Sequence, residues 1–495
     1  MNLAMLLEMQ VGAFGDRVAV GDAKDGMTFA ELFQRAGELA TALRSTTSDR
    51  LVYVDIATSM LPVALYGASW AGKPFVPVSY RLAPDRLADL VGRQAPALVL
   101  AGADYLPSLR NQAGDATHET HAFLSSARSG AVAENDWSFE PDDIGVLLHT
   151  SGTSGDPKVA VLRQKHLVSY VLGSVEFMGA EEDEAALISV PPYHIAGVAA
   201  LITNGYSGRR IVQLPNFEPA EWVRLVREQH ITHAMVVPTM LGRILDRLDD
   251  GGGLPSLRTL SYGGGRMPLP VIERAMHLLP HVSFVNAYGL TETSSSIAVL
   301  GPDDHREAWV SDDPTIRARL GSVGRPLPTV EITIRDVDGS ELPTGSSGEV
   351  WVRGEQVSGE YGARSLLNAE GWFATNDGGR FDDEGFLFVE GRIDDVIVRG
   401  GENLSPGEIE DVLIAHPAVR ECAVLGIPDS EWGEVVAAVI VPSGKAPLSA
   451  DEIRAWVTQH LRSSRAPAVV EFRDELPMND TGKVLRRVLR AELTA

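Results

Sequence analysis

The sequence predicts an α/β chain in two parts, a large body followed by a small α+β domain. Three observations carry this. Over the first two-thirds, apolar runs of strand length alternate with helical periodicity, the mark of mainly parallel sheets covered by helices. After about Pro326 the runs shorten and are divided by Asp-Gly, Ser-Gly and Glu-Gly turns, which reads as a small antiparallel β unit. After Gly391 two well-started helices and two apolar strands follow, enough for a compact unit of its own.

The elements follow in order. Thr28 with Glu31 forms a capping-box signal ahead of Leu32, Ala36 and Leu39. Residues 51–56, 97–100 and 144–148 have the length and content of buried strands. Residues 220–229 read as an amphipathic helix leading into a strand at 233–237. The antiparallel unit is predicted at 330–335, 348–352 and 385–389. Ser405, Pro406 and Glu408 start a helix that Pro417 ends, 423–427 and 435–441 read as strands, and Ser449 with Glu452 caps a second helix. The domain boundary falls at 392–394. It gives an N-terminal domain of 1–393, with the antiparallel unit at about 327–390, and a C-terminal domain of 394–495.

Charge and cysteine content exclude several functions. The chain has 495 residues, with 43 Lys and Arg against 67 Asp and Glu, a formal charge of −24. The acidity is spread over both parts, so neither offers the basic face that nucleic acid or an anionic membrane needs. The single cysteine, Cys422, rules out an intrachain disulfide framework and fits a reducing compartment. Residues 1–16 lack the pattern of a signal peptide, and no apolar run reaches the length of a membrane helix. The expectation is a soluble, cytoplasmic protein.

The most informative segment is Leu147, Leu148, His149, Thr150, Ser151, Gly152, Thr153, Ser154, Gly155, Asp156, Pro157 and Lys158. A buried strand runs into four hydroxyl side chains, two glycines and a lysine. Glycines let backbone N–H groups come close to an anion, hydroxyls add donors and the lysine adds charge, which together suit a polyphosphate. The spacing is not that of a Walker loop. Taken alone, such a segment reads as a polar turn.

Further motifs follow it: Pro191-Pro192-Tyr193-His194, Tyr262-Gly263-Gly264-Gly265, and Asn286-Ala287-Tyr288-Gly289-Leu290-Thr291-Glu292-Thr293. Then come Gly371-Trp372-Phe373-Ala374-Thr375-Asn376-Asp377, Gly391-Arg392-Ile393-Asp394-Asp395, and Pro477-Met478-Asn479-Asp480-Thr481-Gly482-Lys483. In content and order they resemble the motifs of the adenylate-forming superfamily, which includes acyl-CoA synthetases, adenylation domains of peptide synthetases, and luciferases. The resemblance covers nearly the whole chain and is nearest to acyl-CoA synthetases of the fatty-acid–CoA ligase kind.

The resemblance implies a large N-terminal domain of doubly wound sheets with a small β-barrel-like unit, and a mobile α+β C-terminal domain. It implies ATP-dependent activation of a hydrophobic carboxylic acid to acyl-AMP with release of pyrophosphate, then transfer to CoA. ATP, Mg²⁺ and CoA would be used. The catalytic set would be Lys483, Glu292, Thr291 and His194, with Glu292 holding Mg²⁺, a role suited to a carboxylate. Thr150, Ser151, Gly152, Thr153, Ser154, Gly155 and Lys158 would cradle phosphates. Gly264, Gly265, Asn286, Ala287, Tyr288 and Gly289 would surround adenine, and Asp377 with Arg392 would hold the ribose. The family pattern at the ribose is Thr-Gly-Asp; here Asn376 replaces the glycine, so the local turn is open to change.

For the second half-reaction the resemblance implies a hinge at Asp394 that brings Arg399, Gly400, Gly401 and Glu402 to the site, with Trp432 against the CoA adenine. Lys483, Arg486, Arg487 and Arg490 would share one face if a helix begins near Lys483. That face is either solvated or helps hold anionic ligands. Only Arg462 and Arg465 stand near Ser463–Ser464 and the residues that follow, fewer cations than many CoA ligases carry there. A carrier-protein pantetheine therefore stays open as the acceptor. The acyl pocket would be lined by His194, Ile195, Val237, Pro238, Thr239, Gly263, Gly264, Gly265, Gly289 and Thr293. Three glycines in a row either leave room for a long or bulky acid or serve only the backbone turn at adenine. A luciferase-like oxygenase, a nucleotide-binding sensor without turnover, and a homodimer also remain open.

Overall fold

The computed structural model describes residues 1–113, 116–127, 136–150, 158–248, 253–444, 448–479 and 484–494. Two large sheets form the body. The first has nine strands in the order Arg325–Pro326, Ser295–Leu300, Ser283–Leu290, Thr259–Gly263, His233–Val236, Ala185–Ile188, Arg210–Gln213, Val18–Val20 and Met27–Thr28. The second has eight, ordered Arg364–Ser365, Glu360–Tyr361, Lys158–Arg163, Ile144–Thr150, Phe75–Pro77, Arg50–Val54, Ala97–Ala101 and Thr117–Glu119. Both are parallel in the middle and antiparallel towards the edges that carry Ser295–Leu300 and Lys158–Arg163.

Side-chain alternation explains why both sheets are covered on both faces. On Arg50–Val54, Leu51 and Tyr53 enter one core while Val52 and Val54 enter another. The first core lies between the sheets. It gathers the helices Leu3–Phe14, Phe29–Arg44, Met60–Trp70, Gln164–Ser174 and Ile195–Ser207 with strand residues of both sheets, including Phe75, Val146, Ile188 and Ile211. Met60–Trp70 is buried all round, as its apolar composition requires. Phe29–Arg44 starts with the reciprocal bonds of its capping box, Glu31 N–H to Thr28 Oγ1 at 3.1 Å and Thr28 N–H to Glu31 Oε2 at 2.8 Å. Ser449 and Glu452 close the same box on Ala450–His460.

The small β unit is a four-stranded antiparallel sheet, Val330–Arg335, Gly348–Gly354, Phe373–Phe381 and Leu387–Arg392 in that order. It packs through Val352, Phe373, Val350 and Leu387 on Ile297 and Ala298 of the nine-stranded sheet. Phe373–Phe381 is a nine-residue strand that sequence patterning did not reveal; its second half, with Asn376, Asp377, Gly378 and Gly379, lacks the β-branched content that marks strands.

The last sheet joins Glu402–Leu404, Ile397–Arg399, Gly433–Pro442 and Val419–Asp429, with Val469–Phe472 parallel to Gly433–Pro442. One face packs on Pro406–Ile414 and Ala450–His460, the other on Leu489 of the helix Arg486–Leu493. That helix opens at Arg486, because Val484 is held in a bridge with Met478. Lys483 lies outside the described residues, so of the four expected basic residues the helix carries Arg486, Arg487 and Arg490. Arg486 and Arg490 pair with Glu410 and Glu434. This sheet's unit touches the body where Ser405 Oγ donates to the Glu390 carbonyl at 2.8 Å and where Arg266 pairs with Asp411. Among the described residues no helix is long and apolar enough to cross a membrane.

Candidate functional site

The site grows from the place where the nine-stranded sheet meets the small antiparallel sheet. Asp377 lies 7 % exposed on Phe373–Phe381, directly opposite Arg392 on the neighbouring strand. Arg392 Nη1 reaches Asp377 Oδ1 at 3.3 Å and donates to the Thr375 carbonyl at 3.0 Å. The Tyr288 hydroxyl, arriving from Ser283–Leu290, donates to Asp377 Oδ2 at 2.6 Å. Burial first, and then the Asp377 charge, push the Tyr288 phenol upward, so it remains a donor. One carboxylate is thus held on both oxygens while the tyrosine ring is fixed beside it.

Asn376 explains the departure at the middle of this motif. Its φ is +60°, the left-handed region that glycine enters freely and that asparagine tolerates best among other residues. The turn that the family builds with glycine is kept here by asparagine. The replacement adds a side chain, and Asn376 Nδ2 donates to Asp394 Oδ2 at 2.6 Å, tying the strand Phe373–Phe381 to the expected hinge.

Glu292 sits in the short 3-10 turn Thr291–Thr293 between two strands of the same sheet. Ser294 and Ser295 follow with φ of +57° and +118°, two non-glycine residues in strained conformations. Buried Gln356 holds them, donating to the carbonyls of Thr293 at 3.0 Å and Ser296 at 2.8 Å, while Ser294 Oγ donates to the Gln356 carbonyl at 2.9 Å. The Glu292 carbonyl accepts from Ser358 N–H at 2.8 Å and Gly359 N–H at 3.2 Å. Its carboxylate accepts from the Tyr361 hydroxyl. Thr293 is fully buried, its hydroxyl bonded to the Leu290 and Ser295 carbonyls, so it shapes this turn rather than lining an open pocket.

The glycine-rich segment is the connection of an antiparallel hairpin, Ile144–Thr150 with Lys158–Arg163, paired from Ile144↔Arg163 to Thr150↔Lys158. Thr150 Oγ1 donates to the Lys158 carbonyl at 3.3 Å. Lys158 Nζ stands 5.9 Å from the centroid of the Tyr361 ring, whose hydroxyl bonds Glu292, so this end of the hairpin lies near Glu292. Ser151, Gly152, Thr153, Ser154 and Gly155, and Lys483, lie outside the described residues. His149, next to Thr150, is held neutral by burial, its pKa pushed down to about 4.

An AMP-binding enzyme model matches residues 7–362, and a model of the AMP-binding enzyme C-terminal domain matches 408–483. The chain belongs to the AMP-binding enzymes. Among its relatives, a 2-succinylbenzoate–CoA ligase of Bacillus licheniformis is 32% identical over 96% of each chain. A feruloyl-CoA synthase of an Amycolatopsis species is 31% identical over 95% of each. A fatty acid–[acyl-carrier-protein] ligase of Streptomyces coeruleorubidus is 31% identical over 94% of this chain and 91% of that one. The fold is similar to ATP-bound MatB of Rhodopseudomonas palustris, with a TM-score of 0.87 and 27% identity over 99% of each chain. It is also similar to o-succinylbenzoate CoA synthetase of Bacillus subtilis with ATP and magnesium, with a TM-score of 0.83 and 28% identity over 97% of this chain and 98% of that one.

For an AMP-binding enzyme the remaining expected residues fall into three groups. Around the expected adenine loop, Gly263 is required by close approach, since a Cβ there would meet the Ala287 carbonyl oxygen at 2.3 Å. Gly289 is required likewise, at 1.8 Å from the Ser295 carbonyl oxygen. Gly264 has a φ of +77°; a Cβ there would lie in ordinary contact with Val237 Cγ1 at 3.6 Å, and one at Gly265 would lie 3.9 Å from Pro238. Thr239 follows in the first turn of Pro238–Leu245. Asn286 is buried with its amide donating to the Ser322 carbonyl at 2.9 Å, which fixes the strand that also carries Ala287. Tyr262 is anchored beneath the loop by a 2.9 Å bond between its hydroxyl and His305 Nε2.

His194 and Ile195 form the second group, at the start of Ile195–Ser207, with the His194 ring 4.8 Å from that of Tyr193. The third is a hairpin of the last sheet. Gly400 and Gly401, with φ of +57° and +85°, make a two-residue turn between paired Arg399 and Glu402. Gly400 N–H donates to the Trp432 carbonyl at 2.7 Å, the Arg399 guanidinium lies 5.0 Å from the Trp432 ring, and Trp432 is 44% exposed. Arg465, one of the two cations noted near this region, pairs with Glu402 and Glu408.

The donors present fit Mg²⁺. That ion takes one or two carboxylates and completes its shell with phosphate oxygens and water. Glu292 supplies a hard carboxylate beside the phosphate hairpin, and among the described residues no cluster of three metal-ligating side chains forms. Sequence reasoning missed Tyr361 and Gln356. Each acts through a contact with a distant segment, and neither belongs to a motif that stands out by composition.

Proposed function

We propose that this AMP-binding enzyme activates a hydrophobic carboxylic acid with ATP and transfers the acyl group to CoA. A carboxylate oxygen forms a bond to the α-phosphorus while the bond to pyrophosphate breaks. The CoA sulfur then bonds to the acyl carbon, and AMP leaves with the electron pair of the C–O bond. The observation that carries the reading is the linked set Tyr288, Asp377 and Arg392, a carboxylate fixed on both oxygens beside an aromatic ring. Asp377 would accept from the ribose hydroxyls and Tyr288 would present its ring to adenine.

The first half-reaction brings together two anions, so its barrier is largely electrostatic. Thr291 would contact the α-phosphate, and Lys483 would meet carboxylate and phosphate as a point charge. The hairpin hydroxyls and Lys158 would hold the outgoing phosphates. Glu292 would hold Mg²⁺, which when bound offsets negative charge on the triphosphate. The division into 1–393 and 394–495, with a turn about Asp394, lets the Gly400–Gly401 hairpin replace Lys483 at the site for the second half-reaction. The apolar neighbours Val237 and Pro238 beside Gly264 and Gly265 support a hydrophobic acid. The CoA-ligase names of two relatives support CoA as acceptor. Every residue of the reading comes from one chain.

A second reading, transfer to a carrier-protein pantetheine, is supported by the carrier-protein ligase among the relatives and by the engagement of Arg465 with Glu402 and Glu408. ATP–pyrophosphate exchange across a panel of aliphatic and aromatic acids tests the first step. Mass spectrometry of thioesters formed with CoA or a holo-carrier then decides the acceptor. Exchange with no acid at all would leave a nucleotide-binding sensor as the better account.

A further inference from the structure

Tyr361 occupies a position that no motif assigns. It lies on the two-residue strand Glu360–Tyr361, paired with Ala160 of the phosphate hairpin. Its neighbours wrap Glu292. Ser358 N–H and Gly359 N–H donate to the Glu292 main-chain carbonyl, Gly362 N–H donates to the Val159 carbonyl at 3.0 Å, and the Tyr361 hydroxyl donates to Glu292 Oε1. On the other side of the ring stands Lys158 Nζ, 5.9 Å from its centroid. A five-residue stretch thus holds the carboxylate at backbone and side chain together and ties it to the hairpin that carries the glycine-rich loop.

We propose that Tyr361 is a positioning residue for the divalent cation: its hydroxyl holds one oxygen of Glu292 and presents the other to the metal, in register with the phosphate hairpin. The proposal rests on the reading of Glu292 as the metal ligand. A carboxylate on a flexible side chain samples several rotamers, and a fixed hydrogen bond to one oxygen removes most of them before the metal arrives. Bonds of this kind to metal-ligating groups are worth about 10- to 100-fold in metal affinity. The phenol suits the task because it is a donor with a rigid stem and keeps its proton at neutral pH.

The test is Mn²⁺ binding, followed by electron paramagnetic resonance, to the full chain with a non-hydrolysable ATP analogue. Tyr361→Phe is expected to weaken Mn²⁺ binding about 10-fold while the melting temperature and metal-free AMP affinity stay at wild-type values. Pyrophosphate exchange should then fall at low Mg²⁺ and recover at high Mg²⁺, an apparent-KM effect for the metal with kcat kept. Tyr361→His, which returns a ring N–H, is expected to restore part of the affinity. Glu292→Gln is the control for the underlying reading. If it binds Mn²⁺ like wild type, the assignment of Glu292 falls. If it is weakened while Tyr361→Phe is not, the assignment stands and the role given to Tyr361 is overturned. A Tyr361→Phe chain that melts early yet binds Mn²⁺ with wild-type affinity also overturns it.

Discussion

The two regions assigned to nucleotide and to acceptor are built in opposite ways. In the region proposed for the nucleotide, each side chain is held by one from another strand or turn: Tyr288 on Asp377, Asp377 on Arg392, Glu292 under Tyr361. The acceptor hairpin has two left-handed glycines at its tip, an exposed tryptophan, and partners drawn from its own unit, Ser464, Arg465 and Trp432. The first arrangement is preorganised and rigid, as charge stabilisation in a transition state demands. The second is a self-contained piece whose shape depends only on its own unit, as the proposed movement of that unit requires.

Asp377→Ala gives the largest expected effect. It removes the proposed ribose acceptor and the acceptor of the Tyr288 hydroxyl, and leaves Arg392 with the Thr375 carbonyl in place of a counter-charge, so pyrophosphate exchange should fall on the order of 100- to 1000-fold. A loss under fivefold would break the view that this cluster is the preorganised half. Acid stability comes next. His166 and His305 are buried in the body, and burial pushes both pKa values down to about 4. Between pH 6.5 and 4 the unfolded chain binds more protons than the folded one. The stabilisation is therefore complete above pH 6.5 and is lost as the pH falls through that window. A loss on the order of 2 kcal/mol in urea titrations is expected, and His305→Gln should flatten the profile.

Trp432→Ala sharpens the contrast from the other side. Loss of a base-stacking ring should raise the KM for CoA about 10-fold and leave pyrophosphate exchange unchanged. A drop in exchange would mean that the acceptor hairpin is not self-contained. The smallest effect belongs to the residue that links the two regions. Asn376→Gly restores an unstrained left-handed turn and removes the bond to Asp394, so stability should shift by less than about 1 kcal/mol. The rate of thioester formation from supplied acyl-AMP should rise relative to adenylation, read in separate half-reaction assays.

The parts of this site that were legible in the sequence depend on residue types at short fixed spacing. The hairpin hydroxyls, Glu292 after Tyr288, and Asp377 before Arg392 all stand in local motifs, and the alternation of strands and helices announced mainly parallel sheet covered by helices, though not its division into two sheets. What stayed hidden depends on partners far along the chain. Tyr361 meets Glu292 across 69 residues, and Arg486 meets Glu410 across 76. A lone tyrosine or a run of arginines carries no mark of the acid that will face it. The handedness of Asn376 was hidden for another reason: an asparagine announces a left-handed turn less firmly than a glycine does.

The pairing of the C-terminal arginines has a kinetic consequence. Arg486, Arg490 and Arg465 each spend their charge on a glutamate, so they add little positive field outside a molecule whose net charge is −24. ATP and CoA must approach against this field and are drawn in only over the last few ångströms. Salt screens repulsion as readily as attraction. From low ionic strength upward, added salt should therefore speed nucleotide association, the reverse of what an electrostatically steered enzyme shows.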